Sequence, residues 1–230
     1  TDIDGLHNND PRFVNDTKAI TNLNFDEAAE LAYFGAKILH PSSIRPARDK
    51  NIPVLLKNTL NPLAEGTRIS EEKHIAGIKA IAAKDGIQIV RINSGRMLMA
   101  HGFLKRIFSV FDRYKIPVDV ITTSEVAVSV TIEENSMIDA LLCDLEKFGS
   151  VDLIQDCSII SAVGSDISLN PEVLAPLFSC LSTIRPRMIS LGGSRNNITI
   201  VLDKAKKEEA LNQLNQSIFK SNYHETFSAR

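Results

Sequence analysis

Two stretches of this 230-residue sequence carry residue types suited to holding a small charged molecule. The first is the turn SGRMLMAHGFL, Ser94 to Leu104, which leads through Gly102 into a helix start. The free backbone N–H groups at a helix amino terminus suit a carboxylate. The second is Asp119, set among apolar neighbours in KIPVDVITTSE. A carboxylate there wants a cationic partner to offset the loss of water, and the side-chain ammonium of a lysine would serve. The alternative is a strand-end carboxylate left in water or paired with Arg113 or Lys115. Other combinations carry less. Asp2, Asp4 and Gly5 lack the twelve-residue spacing and closing Glu of a calcium loop, so no metal site is expected. Cys143, Cys157 and Cys180 are widely spaced in apolar surroundings, which suits reduced core cysteines better than a disulfide framework. Gly192 and Gly193 suit a hairpin turn.

The elements that must place these residues run from Gly86 to Ile132 as strand, turn, helix, strand, hairpin and strand. Ile87, Ile89 and Val90 head an apolar run that stops at Asn93, Ser94 and Gly95, a strand followed by turn residues. Phe103, Leu104, Ile107, Phe108 and Phe111 form one apolar stripe at helical spacing, and on pattern Met97, Phe103 and Leu104 are core residues. Pro117 marks the end of that helix. Val118, Val120 and Ile121 make the next strand, and Val126, Val128, Val130 and Ile132 alternate as in a half-buried one. A helix from Met137 to Leu145 and a strand from Val151 to Ile154 complete a βαββαβ unit.

A second unit follows as an internal repeat: strand Ser158–Gly164, helix Pro171–Leu181, strand Arg187–Leu191, strand Asn197–Leu202 and helix Lys204–Phe219. It lacks a fourth strand. The spare element is Ile75 to Ala82, whose Ala and Lys content and three-residue isoleucine spacing favour a helix locally. Filling the gap requires a strand, and a strand is expected. Upstream, Asn24 caps a helix with Asp26 and Glu27 in its first turn, ending near Gly35. A short helical piece, a Pro-marked turn and a strand from Val54 to Lys57 come next.

Two sets of motifs carry a family resemblance. GFLKRIFSVFDRYKIPVDVITTSEVAVSVTI resembles the first regulatory ACT domain of aspartate kinases. TDIDGLHNNDPR, ELAYFGAKILHPSSI and NIPVLLKNTLNPLAEGTRI resemble, in order, the end of the amino-acid-kinase catalytic domain of the same family. The fold class expected is α/β (α+β): a partial amino-acid-kinase fold followed by two ferredoxin-like βαββαβ ACT domains, the second non-contiguous. Residues 1–70 are the kinase piece, 86–156 the first ACT domain, 71–85 with 157–220 the second, and 221–230 a tail.

The resemblance implies more. In the family the kinase phosphorylates L-aspartate with ATP and Mg2+. It implies that Thr1, Asp2, His7, Arg12 and Lys37 lie by the nucleotide, with His7 standing where the family usually has Tyr. An Arg and a Lys suit phosphate charge, although Lys37 also fits a solvated helix-end lysine. No stretch resembles the family's glycine-rich phosphate loop or catalytic lysine, so no catalytic residue is expected in this chain and the chain alone should be inactive. From lysine-sensitive members, the positions carried over for the effector are Met97, Ala100, Phe103, Leu104, Val118, Asp119, Ser124 and Glu125. Ala100 stands where those enzymes commonly have Ser, which removes a hydroxyl contact to the effector carboxylate. L-Lysine is the expected effector, with threonine or S-adenosylmethionine as alternatives. A stand-alone amino-acid-binding module is a further one.

The remaining expectations are general. A net charge of −2 gives no footprint for nucleic acid. No apolar run approaches the roughly 20 residues of a membrane span, and the polar amino terminus is no signal peptide. A cytoplasmic piece of a longer protein is expected. It should form a homodimer or higher homo-oligomer, because the edge strands of ACT sheets otherwise stay unpaired.

Overall fold

A computed structural model describes residues 2–34, 41–72, 76–97 and 100–220. Thr1, Lys37, Ile75 and the tail from Ser221 lie outside the described residues. The first segment contains β1 (Asn22–Asn24), α1 (Phe25–Tyr33), α2 (Pro41–Asp49), β2 (Val54–Leu56) and β3 (Thr67–Ser70). The strands form a three-stranded sheet in the order β1-β3-β2, with β1 parallel and β2 antiparallel to β3. Asn24 caps α1 as its residue type suggests. Its side chain accepts from the Glu27 amide at 2.8 Å while the Glu27 carboxylate accepts from the Asn24 amide at 2.8 Å, closing a capping box.

One local expectation is corrected. The Pro-marked turn after His40 is α2, a nine-residue helix with Pro46 inside it. Pro41 takes the first helical position, where a fixed φ and a missing N–H cost nothing. Burial of Ile44 and packing of Ala47 against the core outweigh the interruption at Pro46.

Among the described residues, the second segment is one six-stranded sheet carrying four α-helices. Its elements are β4 (Gly77–Asn93), α3 (Phe103–Arg113), β5 (Ile121–Thr123), β6 (Ala127–Glu133), α4 (Ile138–Leu145), β7 (Ser150–Ser165), α5 (Pro171–Cys180), β8 (Met188–Leu191), β9 (Asn197–Asp203) and α6 (Lys207–Leu214). The order is β5-β6-β4-β7-β9-β8. Two central strands are unusually long, 17 residues for β4 and 16 for β7, because each serves two units. The carboxyl half of β4 and the amino half of β7 join β5 and β6 in the first βαββαβ unit. The amino half of β4 and the carboxyl half of β7 join β8 and β9 in the second.

Between the halves the ladder is irregular, with register shifts between Lys84 and Ile87 and between Ile87 and Ile89. Gly86 (φ 72°) and Asp156 (φ 51°) sit at this break in a conformation that Gly adopts freely and Asp tolerates. The spare upstream segment is therefore a strand, pairing Ile78 with Gly164, Ala80 with Val163 and Ala82 with Ser161. Its weak alternation has a physical cause, since both faces are buried. Ile78 and Ile81 enter the core under α5 and α6, while Ala80 and Ala82 enter the core on the opposite face.

Three apolar cores result. Phe103, Ile107, Phe111 and Leu141 pack under α3 and α4 against Val90, Ile92 and Val128. Leu177, Ile198 and Leu211 fill the second unit. The third joins the helix-free faces of both units, through Ile87, Ile89, Val120, Ile159, Val163 and Val201, to Leu23, Phe25, Leu31 and Ile69 of the first segment. Cys157 is buried in this third core, but Cys143 is exposed on α4, contrary to the expectation that all three cysteines are interior. No helix of the described residues is long and apolar enough to cross a membrane.

The backbones of β4 and β7 approach closely at Gly164. A Cβ at Gly164 would stand 1.9 Å from the Gly77 carbonyl oxygen and 3.0 Å from the Ile78 α-carbon. Gly164→Ala must push the strands apart, which costs about 1–3 kcal/mol as an overpacking change. The expected outcome is a fall of roughly 2–10 °C in the midpoint of thermal unfolding, and an unchanged midpoint would show that the two strands are not so tightly apposed.

Candidate functional site: a buried carboxylate between two segments

The turn expected to suit a carboxylate lies at one end of the first unit. The Ser94 amide donates to the Val126 carbonyl at 2.8 Å, and its hydroxyl donates to the Phe148 carbonyl at 2.6 Å, which fixes the turn against the β5–β6 hairpin. A short 3-10 turn, Gly95–Met97, follows. Gly102 then enters α3 at φ 71° with no side chain capping the helix. Met97 and Ala100 are half-buried against the core, and Phe103 is inside it. Leu104 is corrected from core to surface, at 38% exposure, because it stands off the buried stripe of Phe103, Ile107, Val110 and Phe111. Ser124 and Glu125 are exposed at the hairpin tip.

Asp119, expected to want a cationic partner, lies elsewhere. The Asp119 amide donates to the Thr131 carbonyl at 3.0 Å, placing Asp119 and its half-buried neighbour Val118 beside the far end of β6. Its side chain is only 7% exposed. One carboxylate oxygen accepts from the Tyr33 hydroxyl at 2.9 Å and the other from the Lys84 ammonium at 3.1 Å. Lys84 also pairs with Glu133 at 2.7 Å and lies 5.7 Å from the centre of the Tyr33 ring. Of the sequence alternatives, Arg113 pairs with Asp144 instead. Burial, followed by the bond to Asp119, pushes the Tyr33 phenol up to about 12. Burial opposes the charge on Lys84, but Glu133 and Asp119 outweigh it and hold the ammonium above its usual range.

The structure thus divides the expected effector residues. Ala127, beside the turn, and Thr131, beside Asp119, are four positions apart on β6, or about 13 Å at the rise of a strand. The turn and Asp119 thus stand at opposite ends of β6.

Of the residues expected near a nucleotide, Asp2, His7 and Arg12 lie in the loop before β1. His7 bonds to the Thr17 hydroxyl at 2.8 Å, Asp2 is exposed, and Arg12 is held by both oxygens of Asp10, the shortest contact being 2.6 Å. This Arg12 guanidinium keeps the Asp10 carboxyl below its usual range despite partial burial. The loop is anchored on the second unit. The Ile81 amide donates to Asn8, Asn9 donates to Leu211, and Asn212 donates to Phe13. Lys207 is clamped between the Phe13 ring, 3.7 Å from its centre, and Asp85 at 2.6 Å.

Sequence reasoning missed Lys84, Tyr33, Lys207 and Glu27. The charged pair Lys84–Asp85, interrupting an otherwise apolar run, was the available signal. Glu27, completely buried, binds Lys79 at 2.9 Å and Ser165 at 2.6 Å, so it serves as a tie between segments as well as a helix-dipole complement. Burial pulls the Lys79 ammonium below its ordinary range in spite of Glu27.

An amino-acid-kinase segment fused to two ACT units is what this fold defines, and two family models match accordingly. The Amino acid kinase family matches residues 1–58, and an ACT domain model matches residues 90–143 and 160–218. The chain is 38% identical to aspartokinase 3, chloroplastic, of Arabidopsis thaliana, over 99% of this chain and 43% of that protein. It resembles Escherichia coli aspartokinase III at 31% identity, covering 95% of this chain and 51% of the other. The TM-score is 0.87 for the complex with aspartate and ADP and 0.84 for the complex with lysine and aspartate. A carboxyl-terminal regulatory domain of aspartate kinase from Porphyromonas gingivalis is 34% identical with a TM-score of 0.55, covering 61% of this chain and 96% of that one. The chain belongs to the aspartokinase family, corresponding to its carboxyl-terminal region, and spans about half the length of the curated relatives it matches.

The loop anchor is testable. Burial works against ionisation of Asp85, but the bonds from Lys207 and Ser158 prevail and lower its pKa. The contribution of this carboxylate is complete above the ordinary Asp range and is lost as pH falls through the lowered folded value. Lys207→Met is expected to raise amide hydrogen exchange at residues 8–14 by about three- to tenfold at neutral pH, with smaller change in β6. Equal exchange in both proteins would remove Lys207 as the anchor.

Proposed function

We propose that this chain is the regulatory part of an aspartate kinase, the enzyme that phosphorylates L-aspartate with ATP to 4-phospho-L-aspartate, and that its first ACT unit binds L-lysine as a feedback inhibitor. The observation that carries the reading is Asp119, a nearly buried carboxylate on the first ACT unit that already holds an ammonium and touches the kinase segment through Tyr33. The lysine complex of the E. coli relative supports lysine as the effector. In this reading the effector carboxylate sits at the turn of one copy, near Met97, Ala100, Phe103 and Leu104. Its ammonium sits near Val118 and Asp119 of a second copy, with Ser124 and Glu125 flanking. This makes a homodimer or larger assembly part of the proposal.

Inhibition requires that lysine bind an inactive arrangement more tightly than an active one. The shared core of Ile87, Val120 and Val201 with Leu23 and Phe25 is the physical route by which such a preference reaches the kinase segment. That shared core also favours this reading over a free-standing sensor. Thr1, Asp2, His7, Arg12 and Lys37 lie by the nucleotide in the complete enzyme. The described residues contain no group of three or more His, Cys, Asp or Glu that could hold a metal ion, so the Mg2+ that accompanies ATP is assigned no ligand here. By itself the chain, which shows no glycine-rich phosphate loop or catalytic lysine, phosphorylates nothing.

Calorimetric titration with L-lysine tests the reading, with Asp119→Ala, L-threonine and S-adenosylmethionine as controls. Lysine is expected to bind, and Asp119→Ala to weaken it at least about tenfold, the scale of a lost charge-assisted hydrogen bond. Heat from threonine or S-adenosylmethionine but not from lysine would overturn the effector assignment.

A further inference from the structure

The carboxylate proposed to receive the effector ammonium is not waiting for a cation. Lys84 places a primary ammonium on a four-carbon stem against Asp119 at 3.1 Å, which is the same chemical group that free lysine would present. Glu133, 62% exposed, holds the other side of that ammonium at 2.7 Å. The second oxygen of Asp119 is taken by the Tyr33 hydroxyl. We propose that Lys84 is an internal stand-in for the effector: it occupies Asp119 when no ligand is bound and yields the carboxylate when the effector ammonium arrives. The inference rests on the reading of Asp119 as the ammonium-binding residue and adds what that residue does in the absence of lysine.

Competition follows from electrostatics. Two ammonium groups on one carboxylate repel, and at a side chain 7% exposed solvent and salt screen that repulsion poorly. Lys84 has somewhere to go, because Glu133 is an exposed carboxylate already in contact with it. The apparent affinity for lysine is then lowered by the small fraction of time that Asp119 is vacant. Lys84 also confers selectivity, because an amino acid without a second cation gains nothing by displacing it. Its position links the exchange to the fold. Lys84 stands at the break between the two units, and Tyr33, whose ring Lys84 faces, ends α1 of the kinase segment.

The test is calorimetric titration of the chain and three variants, Lys84→Met, Lys84→Arg and Tyr33→Phe, with L-lysine and with L-norleucine, which lacks the ammonium. Lys84→Met should tighten L-lysine binding at least about fivefold by removing the competitor and leave L-norleucine unchanged, and Lys84→Arg should stay near the parent value. Tyr33→Phe frees the other oxygen whether or not Lys84 competes, so it should tighten lysine by about tenfold without bearing on the stand-in. If Lys84→Met does not fold, Lys84→Gln, which also lacks the ammonium, decides the matter. Parent binding that is unchanged or weakened when the Lys84 ammonium is removed overturns the stand-in and leaves the lysine site intact. Absence of lysine binding from the parent and every variant overturns both.

Discussion

The antiparallel pairing of β4 with β7 is the constraint on which the rest of the molecule depends. Thirteen partner positions, from Gly77 with Ser165 to Asn93 with Ser150, run the length of both units, so the two units share one continuous ladder. The break near Gly86 and Asp156 lets the two long strands change sheets without leaving one another. Helices cover one face of each unit, and the faces left bare meet the kinase segment in a single core. Every residue that could report on an effector is therefore attached, through β4 or β6, to a strand that also belongs to the second unit.

Charge is used sparingly and at the seams. Glu27 with Lys79 and Asp119 with Lys84 join residues from different segments or units, Asp85 with Lys207 ties β4 to α6 within the second unit, and in each pair at least one member is largely buried. A buried pair is weak evidence for stability, but removing one partner leaves a costly orphan. Such pairs suit places where parts must keep a fixed register and where a ligand of matching charge can substitute for one member. The many exposed pairs, such as Arg48 with Asp26 and Lys220 with Asp16, carry little energy by comparison.

Much of this was legible in the sequence. The stripe from Phe103 to Phe111, the alternation from Val128 to Ile132 and the cap at Asn24 signal their elements locally, and the count of strands required Ile78 to Ala82 to be one. What was not legible shares a cause. Leu104, Cys143 and Pro46 depend on which side of a helix faces the core or on whether packing outweighs a local preference, and neither is encoded within a few residues. The partner of Asp119 was sought among its neighbours Arg113 and Lys115, but Lys84 reaches it only because β4, β6 and the residues before β5 are adjacent in the sheet. Likewise the effector residues form a contiguous set in the motif, whereas the strand rise separates them into two ends of one unit.

The interleaving of the two units also governs the order in which the chain can assemble. The amino half of β4 emerges during synthesis roughly 80 residues before the part of β7 that completes its pairing, and closing so large a loop directly is entropically slow. The first unit lies within that interval and contains only contiguous residues. Its folding brings Gly86 and Asp156 side by side, so that the remaining pairing needs only to zip outward from the break. The inserted unit thus acts as the clasp that shortens the loop for the unit around it, and the last residues to find their place are those that complete the site for the loop of Asn8 to Phe13.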